Sequence, residues 1–385
     1  MTSPPDRRLG LLLLAAAAGT NIPTPLLLVY RDELDMSDQS LTAIFGVYAL
    51  GLMLALAFAG QAADRWGRRR VVLPAALCSG LASLFFIVAQ DSEALLYLAR
   101  FAQGAVSGTV FSVGSAWLVE SAVRRRSASG PRVAAVTMTA GFGVGPAISG
   151  LIGEWGPWPL VLPYLLHVVA LALALVVAWG VAETLDRVDG DRHVVAPSAF
   201  RDGEGRTFLL VVAPLAVCVY AFPASAVAGV PVLIGFPVAP VALTGLLAGI
   251  TLGAGALAAP LQGRLGERTA PVAACCGVIG FGGNALAASV PALLLLAVPA
   301  SVVLGAGGGL ALAASLARLP GVASAGRLGT VSSAFYAVAY IGFGFPLLLA
   351  ALSQSVPTAA LLAALAALCA LLAVQQARLG LTLRD

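Results

Sequence analysis

The chain has 385 residues, of which 59% are hydrophobic and only 10% charged, with a mean hydropathy of +0.95. Soluble domains carry about 25% charged residues, so a surface this poor in charge cannot face water over most of its area, and the bilayer is the solvent it suits. The net charge of +4 comes with a pI near 9.0, but the basic residues are all arginines placed between apolar runs, a pattern of membrane topology rather than of nucleic-acid binding.

Runs of about 20 mostly apolar residues, enough to cross a hydrocarbon core, lie near 9–30, 41–62, 71–90, 94–119, 132–153, 159–182, 207–229, 241–262, 271–290, 292–316, 329–352 and 356–377. The first follows Arg7 and Arg8, passes Pro25 and reaches Tyr30. It is too long for the core of a secretory leader and has no small-residue cleavage site, so it is read as a span. With the N-terminus placed inside, every arginine except Arg31 and Arg100 falls on the inner side or in the inner linker. The outer loops carry Asp32, Glu33, Asp35, Asp38, Asp91, Glu93 and Glu154 instead. Trp155 and Trp158 sit where an interfacial aromatic belt belongs. The polar insert Glu183 to Arg206 divides the chain. The expectation is an all-α membrane protein of twelve transmembrane helices in two pseudo-symmetric six-helix bundles. An N-terminal bundle covers 1–183, a cytoplasmic linker 184–206 and a C-terminal bundle 207–385. Both termini are expected in the cytoplasm and the protein in the plasma membrane.

The halves echo each other at an offset near 200 residues. GlyPheGly at 141–143 returns at 342–344, Pro146 is answered by Pro346, DRWGRR at 64–69 by GRLGER at 263–268, and QG at 103–104 by LG at 304–305. Pro23 and Pro25 of the first span are answered by Pro223 of the seventh. Parallel halves related by an axis along the membrane normal are a transporter architecture, with the substrate path at their interface and interrupted helices near it.

One inner loop holds GQAADRWGRRR, Gly60 to Arg70, with five charges in seven residues. Its pattern Gly60-x3-Asp64-Arg65-x-Gly67-Arg68-Arg69 resembles the signature of the major facilitator superfamily. Arg100-x2-Gln103-Gly104 in the fourth span resembles a second signature of that family. Gly141-x3-Gly145-Pro146-x3-Gly150 in the fifth resembles a third, associated with proton-driven antiporters that export drugs. The resemblance covers all twelve spans. It implies that Gly60, Asp64, Arg65, Gly67, Arg68 and Arg69 form a breakable inner gate and that Arg100 assists proton coupling. It also implies that the fifth-span motif acts as a hinge or seal.

The residues themselves support roles of this kind. A carboxylate such as Asp64 is favoured at a helix N-terminus, and Gly67 lets a short turn close. Arg100 is the one arginine well inside a span, where a charge is costly and usually functional; Gln103 and Ser107 share its helix face. Gly141, Gly145 and Gly150 permit close helix approach, and Pro146 removes a helix hydrogen bond. No acidic residue lies deep in a span, so the proton-coupling candidates besides Arg100 are Asp32 and Glu33 at the outer end of the first span and His167 in the sixth. Glu120 reads as a local partner for Arg124 to Arg126. Polar and aromatic residues inside apolar spans suggest a substrate cavity: Asn21, Tyr48, Gln103, Phe222, Ser333, Tyr336 and Tyr340. Such a lining suits a neutral or cationic amphipathic solute.

The five cysteines lie in apolar runs without metal-site spacing, and no Walker-type loop is present. Neither cofactor nor metal is expected. The reading is a monomeric secondary transporter of a small organic or drug-like solute working by alternating access, with protons as coupling ion and efflux as direction. A metabolite uptake system or facilitator is the alternative. An intramembrane enzyme would need a nucleophile, a metal cluster or paired carboxylates within the spans, and the sequence offers none.

Overall fold

A computed structural model describes residues 4–127, 130–184, 204–323 and 328–382. Of the sequence-read linker, residues 185–203 lie outside the described residues. Those described form helices and no β-strand. Backbone polar groups in hydrocarbon must be satisfied within the segment, and the helix does that.

In chain order the helices are α1 (Pro5–Leu34), α2 (Asp38–Trp66), α3 (Arg68–Val88), α4 (Glu93–Arg124), α5 (Gly130–Trp155) and the shorter α6 (Leu162–Ala178). After the linker come α7 (Gly205–Leu233), α8 (Pro240–Ala258), α9 (Thr269–Ser289), α10 (Pro291–Val322), α11 (Leu328–Ile341, continued by Phe345–Leu352) and α12 (Thr358–Thr382). Pro240–Ser289 is one helical stretch of 50 residues. At 1.5 Å per residue it would be about 75 Å long against a core of about 30 Å. It is broken at Gly266, whose φ is +55°, and so supplies two crossings. With α6 this agrees with the twelve spans read from the sequence. α6 is shorter than the expected 159–182 because Gly156 to Val161 turn before Pro163 opens the helix.

Caps mark the helix starts. Ser37 Oγ accepts the Ser40 N–H at 3.1 Å to open α2, and Ser92 Oγ accepts the Leu95 N–H to open α4. α1 is interrupted, running Pro5–Thr20 and then Pro23–Leu34. Pro23 has no N–H to give the Gly19 carbonyl. α7 widens into π-helical turns at Phe208–Val212 and Ser225–Gly229, beside its prolines.

The chain forms two compact units: residues 1–188 with 236–249, and residues 189–235 with 250–385. In the first, Trp117, Leu13, Val72 and Leu171 anchor the interior. In the second, Phe222, Phe281, Phe335 and Leu304 do. Helices meet through glycine, as hydrocarbon surroundings favour. In the first unit a Cβ on Gly104 of α4 would strike the Tyr48 carbonyl of α2, and one on Gly141 of α5 would strike the Leu14 carbonyl of α1. In the second, Gly305 of α10 meets Thr251 of α8 in the same way, and Gly342 meets Val217 of α7. The repeated glycines thus make equivalent contacts within each unit, and Gly67 and Gly266, with φ of +100° and +55°, turn the chain at equivalent loops. Two pseudo-symmetric halves are the fold.

Candidate functional site

Three polar constellations stand in the first unit, and an aromatic face stands in the second.

At the α2–α3 turn, Arg68 Nη1 donates to Asp64 Oδ1 at 2.6 Å and Nη2 to Glu120 Oε1 of α4 at 3.2 Å. Glu120, read as a local partner for Arg124 to Arg126, therefore reaches across to α3. The carboxylate at a helix N-terminus here is Glu183: its two oxygens accept the backbone N–H groups of Arg68 and Arg69, each at 3.0 Å. That places negative charge on the positive end of α3 and satisfies two of its orphan donors. The same carboxylate occupies the space that a Cβ on Gly67 would need, at a φ only glycine takes readily. Glu183 is itself positioned by its neighbours. Trp117 Nε1 donates to the Ala182 carbonyl at 3.0 Å, Arg124 Nη2 to the Thr184 carbonyl at 2.6 Å, and Thr184 Oγ1 to Glu120 Oε2 at 2.5 Å. Arg69 donates to the Trp179 carbonyl at 2.9 Å and lies over its ring. Arg65 is exposed and lies over Trp66. Gly60 faces open space.

The second constellation surrounds Arg100, which is 1% exposed. Its Nη1 donates to the Thr20 carbonyl at 2.6 Å and to Gln103 Oε1 at 2.5 Å, while Gln103 Nε2 donates to the Gly19 carbonyl at 2.9 Å. The guanidinium lies 4.6 Å from the Tyr48 ring centroid and 5.6 Å from that of Phe45. The break in α1 explains the geometry: Thr20 ends its first half and its carbonyl lacks a helical partner, while the Gly19 carbonyl accepts the Ile22 N–H at 3.4 Å, and the two form the negative end of a helix dipole. Arginine, a planar fork that tolerates aromatic faces, fits that end. Among the described residues no carboxylate pairs with it, and its buried Nε has no hydrogen-bond partner. The structure brings Gln103, Tyr48 and, across Thr20, Ser107 to Arg100. Asn21 sits at the break itself. Asp32 and Glu33 are not part of this cluster. They lie about 18 Å further along α1 by helical rise, exposed, with Asp32 bonded to Arg31 at 3.3 Å.

The third joins α1, α3, α5 and α6. His167 is 4% exposed. Its Nε2 lies 3.1 Å from the Ala15 carbonyl and its Nδ1 2.7 Å from Ser83 Oγ. A carbonyl only accepts, so Nε2 carries the hydrogen and Nδ1 accepts the serine hydroxyl. Gly141 and Gly145 pack directly on α1 at Leu14 and Ala18; Gly143, Pro146 and Gly150 face residues 241–249. Ser149 Oγ donates to the Ile22 carbonyl at 3.0 Å, satisfying the α1 break from the other side. Glu154, read only as an outer-loop charge, accepts the N–H groups of Val241 and Ala242 at 2.8 and 3.2 Å and so caps α8. α5 stays helical through Pro146.

In the second unit Tyr336 and Tyr340 of α11 line up with Tyr220 of α7 and Phe343. Tyr220 stacks on Tyr340 and on Phe343, each at 4.8 Å between centroids, and Tyr336 lies 6.3 Å from Tyr340. All four are half-buried. Phe222 is elsewhere: 2% exposed, edge-on to Phe281 and filling the interior. The side chain of Ser333 lies outside the described residues. No cluster of metal-binding side chains occurs among the described residues.

Multidrug resistance protein MdtL of Shewanella oneidensis is 35% identical over 132 residues, 33% of this chain and 32% of that one. Its namesake in an Escherichia coli O45:K1 strain is 38% identical over 96 residues, 25% and 24% of the two chains. The chain thus spans about a third or a quarter of the curated relatives it matches. Among solved structures, the peptide transporter POT bound to sulfate superposes with a TM-score of 0.76 at 15% identity, covering 97% of this chain and 94% of that one. The nucleoside transporter NupG, as its D323A mutant, gives 0.74 at 11%, covering 99% and 100%. At such identities the likeness is one of fold. A profile of the Major Facilitator Superfamily matches residues 9–346, and the chain belongs to that superfamily of membrane transporters.

Proposed function

We propose that the chain exports a small organic, neutral or cationic amphipathic solute across the cytoplasmic membrane by alternating access, with protons as the coupling ion. The halves 1–183 and 207–385 are the rocking bodies, joined by the cytoplasmic linker 184–206, and both termini face the cytoplasm. It acts as a monomer and moves its solute without converting it. The observation that carries the reading is Arg100, a fixed cation inside the membrane held by the broken end of α1 and stacked on Tyr48, since an intramembrane charge so placed marks a transport path. The MdtL similarity supports export. The aromatic face of Tyr220, Tyr336 and Tyr340 supports an amphipathic solute, because ring faces attract cations and bury apolar surface.

The coupling is tested in proteoliposomes with an imposed pH gradient and a panel of lipophilic cations and neutral drugs. Counter-gradient accumulation of at least one solute is expected, abolished when the gradient is collapsed. Movement indifferent to every ion gradient would make the chain a facilitator, and conversion without movement would make it an enzyme; either result overturns the proposal.

A further inference from the structure

A groove of about 540 Å³ runs along the first unit between α1, α5 and α6. Small residues create it: Ala15, Ala18, Gly145 and Ala170 form the floor, while Leu11, Leu173 and Ile148 stand up as walls. Those walls are 50%, 64% and 46% exposed, so the groove opens on the outer face of the helices, where a transmembrane segment meets lipid. From Leu11 to Ile22 it extends about 16 Å along α1, close to the depth of one leaflet of a core about 30 Å thick.

Its two ends differ chemically. Toward Ser149 and His167 nothing polar is on offer, because Ser149 Oγ is bound to the Ile22 carbonyl and both His167 nitrogens are engaged. That end suits hydrocarbon. At the other end Arg8, one turn before Leu11, donates its Nε to the carbonyl of the groove residue Val177 at 2.5 Å. Arg8 is half-buried, and among the described residues no carboxylate pairs with it. The nearest acid in sequence, Asp6, is bonded to Arg125 at 3.1 Å. Arg69 donates to the Trp179 carbonyl two residues beyond Val177, and Trp179 is 63% exposed, as an interfacial anchor would be. The groove thus offers an apolar slot one leaflet deep with an arginine at its mouth, Arg8, that no carboxylate answers among the described residues.

We propose that this groove is a binding site for one anionic phospholipid of the leaflet on the Arg8 side, with an acyl chain in the slot and the phosphodiester on Arg8. The pairing follows from charge complementarity at the mouth and from the absence of any free polar partner deeper in. Basic residues at this depth attract anionic headgroups.

The test uses the full chain reconstituted in vesicles of equimolar phosphatidylglycerol and phosphatidylcholine, then released in mild detergent, with retained lipid counted by native mass spectrometry. The wild type is expected to keep one phosphatidylglycerol in preference to phosphatidylcholine. Arg8→Gln keeps a donor for the Val177 carbonyl but loses the charge, and its preference should fall about fivefold. Ala170→Trp fills the floor from an exposed position and should lose the retained lipid of either headgroup. Both variants are checked for a monodisperse elution profile. Equal retention of the two headgroups by the wild type, or wild-type retention in both variants, would overturn the site.

Discussion

Arg100 is a charge sealed inside the first unit and answered by backbone rather than by an acid. Removing it as Arg100→Ala leaves the buried Thr20 carbonyl without its donor, a penalty of about 1–3 kcal/mol. Transport should drop about tenfold or more while the inserted amount holds, measured as flux per protein in proteoliposomes. Arg100→Lys should recover only part of it, because a point charge cannot both bond the Thr20 carbonyl and lie flat on Tyr48. Undiminished gradient-driven flux in the alanine variant would remove Arg100 from the mechanism. Glu183 is a different case: it holds the first two N–H groups of α3. Loss of such a cap costs about 0.5–2 kcal/mol, so Glu183→Ala should lower the melting temperature in detergent and Glu183→Gln less so. Arg100 was legible because a lone arginine in an apolar run is conspicuous. Glu183, Glu154 and Ser149 were not, since each matters through a partner distant in sequence. Phe222 read as a cavity residue and lies in the interior, because in a span apolar all round neither hydropathy nor period tells the two faces apart.

Among the elements, the closest contacts are those where one helix rides on another's backbone through glycine. Gly145→Ala would drive a methyl into the Ala18 carbonyl of α1, and Gly305→Ala into that of Thr251. Each should destabilise by about 1–3 kcal/mol, seen as an earlier thermal unfolding transition. Gly60→Ala, helical and facing open space, should instead stabilise by about 0.5–1 kcal/mol. If all three behaved alike, packing would not be what those glycines provide. The spans themselves were readable because hydrocarbon thickness dictates their length and the absence of water dictates helix. Their irregularities were less so: the short α6 and the widened turns of α7 depend on how prolines meet neighbouring helices.

At the scale of the whole molecule, the offset of about 200 residues seen in the sequence survives as equivalent glycine contacts in two units. The carbonyls that hold Arg100 have a consequence of their own. They are permanent dipoles that no proton can neutralise, and arginine keeps its charge, so one elementary charge sits within the thickness over which a cell's voltage falls. Traversing that voltage is worth about 2.3 kcal/mol per 100 mV, so any displacement of Arg100 along the field during turnover draws on the electrical gradient as well as the chemical one. Flux clamped with potassium and valinomycin should change with the sign of the applied voltage at fixed pH, and Arg100→Gln should flatten that response.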